Sequence, residues 1–234
     1  MARHIPRIYI SELGNDLVSL PNRVIHHIRN VMRLRENDTF LAFNEKEGEW
    51  ICKIINAKKN TVTAKKISRN RTLEQCYKKS LAICQLKPVN MKLVIEKCTE
   101  LGVNDFYLLT GKYTNYHNST EKLQEIAYQA SEQSERLDIP KIHNEVDFGK
   151  FINRLPAEYN WYVALERLQT ESKIDTIRRD TNIGFIVGSE GGFSDDERDI
   201  LCSNVTAISL SKNILRSETA AISCLVLANM IHND

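Results

Sequence analysis

The stretch Ile183-Gly184-Phe185-Ile186-Val187-Gly188-Ser189-Glu190-Gly191-Gly192-Phe193-Ser194-Asp195-Asp196-Glu197 carries three signals in succession. A short apolar run reads as a strand, three glycines within five residues read as a turn, and Ser194-Asp195-Asp196-Glu197 has capping-box form. Its acidic residues occupy the first helical turn, where the helix dipole favours them. Glycines at the carboxyl end of a strand let backbone amides come close to a ligand. The loop is no standard nucleotide fingerprint, because it lacks GxGxxG and the chain has no GKS or GKT. An acidic residue inside such a loop cradles phosphate poorly and suits a cationic or hydroxyl-rich ligand. The alternative is a tight strand-to-helix turn that binds nothing.

Outward from this stretch, the same rhythm fills the chain from about residue 80. Short apolar strands are expected at 80–86, 105–110, 161–165, 183–188 and 206–210. Helices fit between them at 91–101, with Val94, Ile95, Cys98 and Leu101 on one side, and at 120–137, with Leu123, Ile126, Ala127, Ala130 and Leu137. A further helix starts at Ser194 and a last one covers about 217–231. Strands alternating with helices imply a largely parallel α/β sheet covered on both faces. Between the last strand and the last helix lies a second candidate loop, Leu210-Ser211-Lys212-Asn213-Ile214-Leu215-Arg216-Ser217-Glu218-Thr219-Ala220-Ala221. Ser217 suits an N-cap, so exposed amides would sit beside Arg216 and Glu218, with Leu210, Ile214 and Leu215 as an apolar wall. An ordinary loop before a capped helix is the alternative.

The N-terminal part differs. Residues 39–43, 50–55 and 61–67 are β-branched or aromatic runs separated by turn-rich stretches, which suggests a small barrel. Between residues 21 and 34, Val24, Ile25, Ile28, Val31 and Met32 recur at helical spacing, while Arg23, Arg29, Arg33 and Arg35 take other faces. The net charge of +2 is uneven: residues 1–72 hold 14 Lys/Arg against 7 Asp/Glu, and residues 73–234 hold 18 against 23. A basic unit joined to a mildly acidic one suggests that the first meets a polyanion. For each arginine alone, a solvated helix face is the alternative. Two domains, 1–72 and 73–234, follow, with the boundary in the polar stretch 70–76.

Composition closes off other classes. At 234 residues, 42% hydrophobic and 26% charged, the chain is ordinary globular protein. The longest apolar stretch, 220–231, is broken by Ser223 and Asn229 and is too short for a membrane span. The first residues lack an apolar signal-peptide core, so the cytoplasm is expected. The cysteines at 52, 76, 84, 98, 202 and 224 form no CxxC and no zinc spacing, so free thiols and no metal are expected.

The strings GSEGGFSDDE and LSKNILRSETAA closely resemble the GPEGGFS and LGxRILRxETA signatures of the RsmE-type small-subunit ribosomal RNA uridine-N3 methyltransferases, of the SPOUT superfamily. Glu96–Val103, EKCTELGV, is similar to that family's KxTELGV helix end. Residues 130–136, ASEQSER, with Pro140 resemble its AxEQSxRxxxP segment, and His27, Val31 and Met32-Arg33-Leu34 its H...VxRL pattern. The likeness runs through nearly the whole chain in the family's order. Ser189 stands where the family has Pro, Ser211 where it has Gly, Asn213 for Arg and Ser217 for Thr, and 87–90 follows its PKG turn only loosely.

The resemblance implies an α/β fold with a C-terminal trefoil-knotted domain at 73–234 that binds S-adenosyl-L-methionine, and an N-terminal PUA-like β-barrel at 1–72 that grips RNA. It implies a homodimer, with small-subunit ribosomal RNA, free or within the assembled subunit, as substrate. The cofactor residues it points to are Leu165, Glu166, Gly188, Glu190, Gly191, Leu210, Ile214, Leu215, Arg216, Thr219 and Ala220. For catalysis, the chemistry of N3 methylation points to Arg216 for charge stabilisation and to Glu190 and Glu218 as nearby carboxylates able to orient the base or accept a proton; the alternative for both carboxylates is structural, holding loop backbone amides. Arg23, Arg29, Arg33 and Arg35 are candidate RNA contacts, and Arg136 is a candidate neighbour of the substrate base. Competing readings are ribose 2′-O methylation and a non-catalytic RNA-binding assembly factor.

Overall fold

The computed structural model describes residues 5–20, 22–26, 28, 32–58, 61–74, 76–166 and 174–232, with residues 22 and 23 described in the backbone alone. The chain divides into two compact units, Met1–Gln75 with Ser131–Ile139, and Cys76–Ala130 with Pro140–Asp234.

The first unit contains β1 (Arg7–Tyr9), β2 (Leu17–Ser19), a short helix α1 (Asn22–His26), β3 (Thr39–Asn44), β4 (Gly48–Lys58) and β5 (Thr61–Arg71). The strands form one sheet in the order β1-β3-β4-β5-β2, antiparallel except for β1 beside β3. Period-two alternation sends Phe40, Ala42, Cys52, Ile54, Val62 and Ala64 to one buried face, where Val24, Ile25 and Ile28 join them. The helical pattern expected across 21–34 begins as α1; residues 27 and 29–31 lie outside the described residues. The β3–β4 turn is an Asx turn, in which Asn44 Oδ1 accepts from the amides of Lys46 and Glu47 at 3.0 and 2.7 Å. Gly48 ends it at φ +76°, and a Cβ there would lie 2.3 Å from the Arg71 carbonyl.

Residues Ser131–Ile139 fall with this first unit, an excursion that an uninterrupted division at residue 72 does not provide for. Charge explains it. Glu49, fully buried, accepts from Arg7 Nε at 2.7 Å, Asn70 Nδ2 at 2.6 Å and Arg71 Nε at 3.0 Å. The oriented Arg7 guanidinium donates onward to the carbonyls of Glu132 and Arg136 at 3.1 and 3.0 Å, and Arg71 to that of Glu135 at 3.1 Å. Burial opposes ionisation of Glu49, but the hydrogen bonds from Arg71, Asn70 and Arg7 outweigh it and hold the carboxyl below its usual range.

The second unit contains β6 (Lys79–Cys84), α2 (Pro88–Glu100), β7 (Asp105–Thr110), most of α3 (Thr120–Gln133), β8 (Lys141–Ile142), β9 (Val146–Asp147), α4 (Phe148–Ile152), β10 (Asn160–Ala164), β11 (Ile183–Val187), α5 (Asp195–Asn204), β12 (Thr206–Ile208) and α6 (Ser217–His232). All strand pairs are parallel, in the order β12-β10-β11-β6-β7-β8, with β9 also on β7. Every residue of β6 and β11 is buried, as in a central strand covered on both faces. One face packs on Met91, Val94, Ile95 and Cys98 of α2 and Ala221, Cys224 and Leu225 of α6; the other packs on Phe148, Phe151 and Leu201. A Cβ on Gly184 would lie 2.5 Å from the Trp161 ring, so glycine there admits the indole of the neighbouring strand. The six cysteines are free, with 52, 84, 98 and 224 buried and 76 and 202 exposed.

Strand order places the site. From β6 the sheet grows one way to β7 and the other way to β11, β10 and β12, so the carboxyl ends of β6, β11 and β10 border the crevice where such folds bind ligands. After β12, at the sheet edge, the chain returns to pack α6 against α2, β11 and β6.

Candidate active site

The loops after β10, β11 and β12 enclose a cavity of about 550 Å3 whose wall includes Glu166, residues 187–193 and residues 214–218. That volume lies within the roughly 300–1,000 Å3 of small-molecule sites. A smaller recess beside it is lined by Leu165, Glu166, Leu210, Leu215 and Ala220.

The glycine-rich loop folds on itself. Gly192 donates its amide to the Ser189 carbonyl at 2.9 Å and has φ +70°, a conformation glycine adopts at little cost. A Cβ on Gly191 would lie 2.9 Å from Cβ of Tyr113, so the loop is bare where that tyrosine crosses it. Behind the loop the expected capping box is complete: Ser194 accepts from the Glu197 amide and Glu197 accepts from that of Ser194. Ser189 therefore serves a loop that already has its own hydrogen bonds.

Three carboxylates and two cations edge the cavity. Glu190 is exposed, and its Oε1 accepts from the Lys87 amide at 3.1 Å and Asn90 Nδ2 at 3.3 Å. Glu166 is held by Arg198 at 3.0 Å. Glu218, in the first turn of α6, is 8% exposed, and among the described residues its Oε2 has no hydrogen-bond partner. Its Oε1 lies 4.0 Å from Arg216, whose side chain is 86% exposed, so that pair is weak. A buried carboxylate oxygen without a partner is costly. At the end of β6, burial first and then the charge of Glu197 push the Cys84 thiol up to about 12, so it stays neutral.

A sequence profile described as an RNA methyltransferase domain matches residues 73–229, and one described as an RNA methyltransferase PUA domain matches residues 20–67. Ribosomal RNA small subunit methyltransferase E of Rickettsia conorii is 32% identical over 237 residues, spanning 96% of this chain and 95% of its own. The chain belongs to the ribosomal RNA small subunit methyltransferase E family. A further family protein, from Buchnera aphidicola of Schizaphis graminum, is 27% identical over the full chain. Among solved structures, the Neisseria gonorrhoeae family protein, bound to S-adenosyl methionine, superposes with a TM-score of 0.89 at 24% identity over 98% of each chain. A Legionella pneumophila protein in complex with the cofactor SAM gives 0.85 at 25% identity, over 97% of this chain and 98% of its own. The fold is therefore that of the family: a PUA-like N-terminal unit and a parallel α/β unit.

Within this family member, the fold brings Glu166, Gly188, Glu190, Gly191, Ile214, Leu215, Arg216, Glu218 and Ala220 to one cavity wall, with Leu165 and Leu210 in the adjoining recess. Thr219 is exposed and lines neither, because it sits one residue along α6 from inward-facing Glu218. Arg136 is not among the cavity-lining residues. It belongs to the first unit, where Asp138 grips its guanidinium at 2.7 and 3.1 Å. Arg33 and Arg35 are exposed; the Arg23 side chain and all of Arg29 lie outside the described residues. The sequence reading missed Lys87, Asn90 and Phe193 in the wall. The 87–90 turn was visible as a loose motif match, and its use emerges from the hydrogen bonds that fix Glu190.

Proposed function

We propose that this chain transfers the methyl group of S-adenosyl-L-methionine to N3 of a uridine in small-subunit ribosomal RNA. The observation that carries the reading is the cavity in which both motif loops meet, with Glu166, Glu190 and Glu218 in its wall. The residues present fit the cofactor: carboxylates suit a sulfonium and an ammonium, backbone amides of 188–192 suit adenine and ribose, and Ile214 and Leu215 supply apolar wall. Bound there, the cofactor would supply an electrophilic methyl on a positively charged sulfur.

The protein's own part is positioning and charge. N3 of uridine lies on the Watson–Crick edge, so the base has to leave any pairing before it can be reached. Glu190, fixed by Lys87 and Asn90, orients the N3–H and accepts its proton. Arg216, free to swing, offsets negative charge developing on the ring carbonyls. Glu218 holds a donor of the cofactor. Most of the rate would come from alignment of the base with the methyl group.

Residues 1–72 act as the RNA-gripping domain in this reading, with Arg23, Arg29, Arg33 and Arg35 on phosphates, and 73–234 as the catalytic domain. Its support is the basic excess in 1–72. The catalytic domain carries a trefoil knot, a reading supported by the return of the chain from edge strand β12 to α6. The protein works as a homodimer: α2 and α6, which pack together, each expose an apolar i, i+4 pair, Val89 with Leu93 and Val226 with Met230. Its place is the cytoplasm, where its substrate is assembled; no helix among the described residues is long and apolar enough to cross a membrane.

The test is methyl transfer from labelled S-adenosyl-L-methionine to small ribosomal subunits from a strain lacking the protein, followed by nucleoside mass spectrometry. N3-methyluridine at one site is expected. Methyl on a ribose or another base refutes the uridine-N3 reading, and RNA binding without transfer refutes the enzyme.

A further inference from the structure

Beside the main cavity lies a second one of about 400 Å3, lined by Lys87, Tyr113, Asn115, Tyr116, Glu190 and Gly191. Lys87, Glu190 and Gly191 also line the first, so the two share a wall. None of Tyr113, Asn115 and Tyr116 belongs to either motif loop; they follow β7.

The segment that carries Tyr113 is built to hold still. Gly111 and Thr114 close a turn, with the Thr114 amide on the Gly111 carbonyl at 3.1 Å and the Gly111 amide on Thr114 Oγ1 at 2.9 Å. Glu197 anchors it, accepting from the Lys112 amide at 2.8 Å through Oε1 while Oε2 completes the α5 capping box. A Cβ on Gly111 would lie 2.7 Å from that Oε1, so the anchor depends on glycine. Tyr113 then crosses Gly191 at contact distance, yet remains 44% exposed. Tyr116, half-buried, lines the same cavity as Glu190 and Gly191 of the glycine-rich loop.

Besides its contact with Gly191, the Tyr113 side chain on this anchored turn leaves part of its surface free beside the cavity. An exposed aromatic ring is how proteins receive an unstacked base. We propose that the second cavity is the substrate's nucleobase subsite and takes an extruded uracil on the Tyr113 and Tyr116 rings, with Asn115 and Lys87 as donors to its ring carbonyls. The proposal rests on the methyltransferase reading above and assigns the base a place within it. Glu190 stands in the shared wall. Its Oε1 is engaged by Lys87 and Asn90, and among the described residues Oε2 has no partner. A carboxylate oxygen there accepts the N3–H of uracil. Cytosine presents a lone pair at N3 and would be repelled, so the same geometry selects the base.

The test uses the full chain with ring-labelled tyrosine, saturated with S-adenosyl-L-methionine, and titrated with a short single-stranded oligouridylate or oligocytidylate. Tyr113→Phe and Tyr116→Phe assign the resonances. Both rings are expected to shift with oligouridylate and at least tenfold more weakly with oligocytidylate. Tyr113→Ala should weaken oligouridylate binding on the order of 5- to 150-fold, the roughly 1–3 kcal/mol of one stacked base, with cofactor affinity within twofold of the parent. Oligouridylate binding that leaves both rings unmoved overturns the subsite, as does equal response to oligocytidylate. Methyl transfer by the unaltered protein is read separately: transfer with unmoved rings removes the subsite alone, and ring shifts without transfer keep the subsite and remove the transferase.

Discussion

Glu218→Gln separates the binding role of that carboxylate from any structural one. The unliganded protein should be affected little, because two opposing effects disappear together. A carboxylate in the first turn of a helix contributes about 0.3–1 kcal/mol through the dipole, while a buried oxygen without a partner costs about 1–3 kcal/mol, part of which the amide retains. Its neighbour Arg216 is too exposed to add much. The unfolding free energy from urea titration, followed through Trp161 of β10, should therefore change by about 1 kcal/mol or less. Cofactor binding should suffer more. A hydrogen bond to a charged group is worth about 1.5–3 kcal/mol, so the dissociation constant should rise on the order of 10- to 150-fold. Linkage makes this visible twice. At a concentration of about 100 times the parent's Kd the cofactor stabilises the fold by about 2.7 kcal/mol; a loss of about 30-fold leaves about 0.9 kcal/mol. Calorimetric titration measures the first quantity and urea unfolding with cofactor the second. A variant that binds within twofold of the parent refutes the assignment, and one that unfolds several kcal/mol earlier without ligand refutes the stability argument.

Glu49→Ala should destabilise the first unit by about 3–5 kcal/mol, because it strands the buried Arg7 guanidinium, while half-exposed Arg71 regains water; Trp50 emission in a Trp161→Phe background reports it, and a loss under about 1 kcal/mol would sink the account. Asp105 sits between His143 at 2.7 Å and the Tyr159 hydroxyl at 2.6 Å. Burial raises its pKa, but hydrogen bonds from His143 and Tyr159 prevail and leave it below the usual 3.8. A depressed carboxyl contributes stability above its unfolded value and loses it as pH falls through the folded one. The gap between the parent and Asp105→Asn should thus be about 1.5–3 kcal/mol at pH 7 and shrink as pH falls below about 4; a gap that is constant with pH refutes it.

Local pattern made much of this protein legible. The strands β3 to β5 and β6, β7, β10 and β11 stand where β-branched and apolar runs predict them, and the Ser194 cap forms as its four residues suggest. Such signals depend on neighbours within a few positions, since side-chain period and cap chemistry are properties of a single turn or strand. The two motif loops could be named as a pair, and residues 188–193 of one and 214–218 of the other do line one cavity, with Leu210 in the recess beside it.

What pattern could not supply is who meets whom across the chain. Glu190 is fixed by residues 100 and 103 positions away, Arg7 holds carbonyls some 125 positions on, and Tyr113 crosses Gly191 from a different strand's loop. No periodicity encodes those separations. Strand order and buried charge do, because the closing of a core forces distant backbones together and then requires each polar group trapped there to find a partner. Arg136 shows the same division. Its motif places it in a recognisable segment, and the Glu49–Arg7 charge network, formed when the first unit closes, gathers that segment into the first unit. Local chemistry thus settled which elements and loops this chain has, and long-range packing and the satisfaction of buried charge settled which of their side chains could act together.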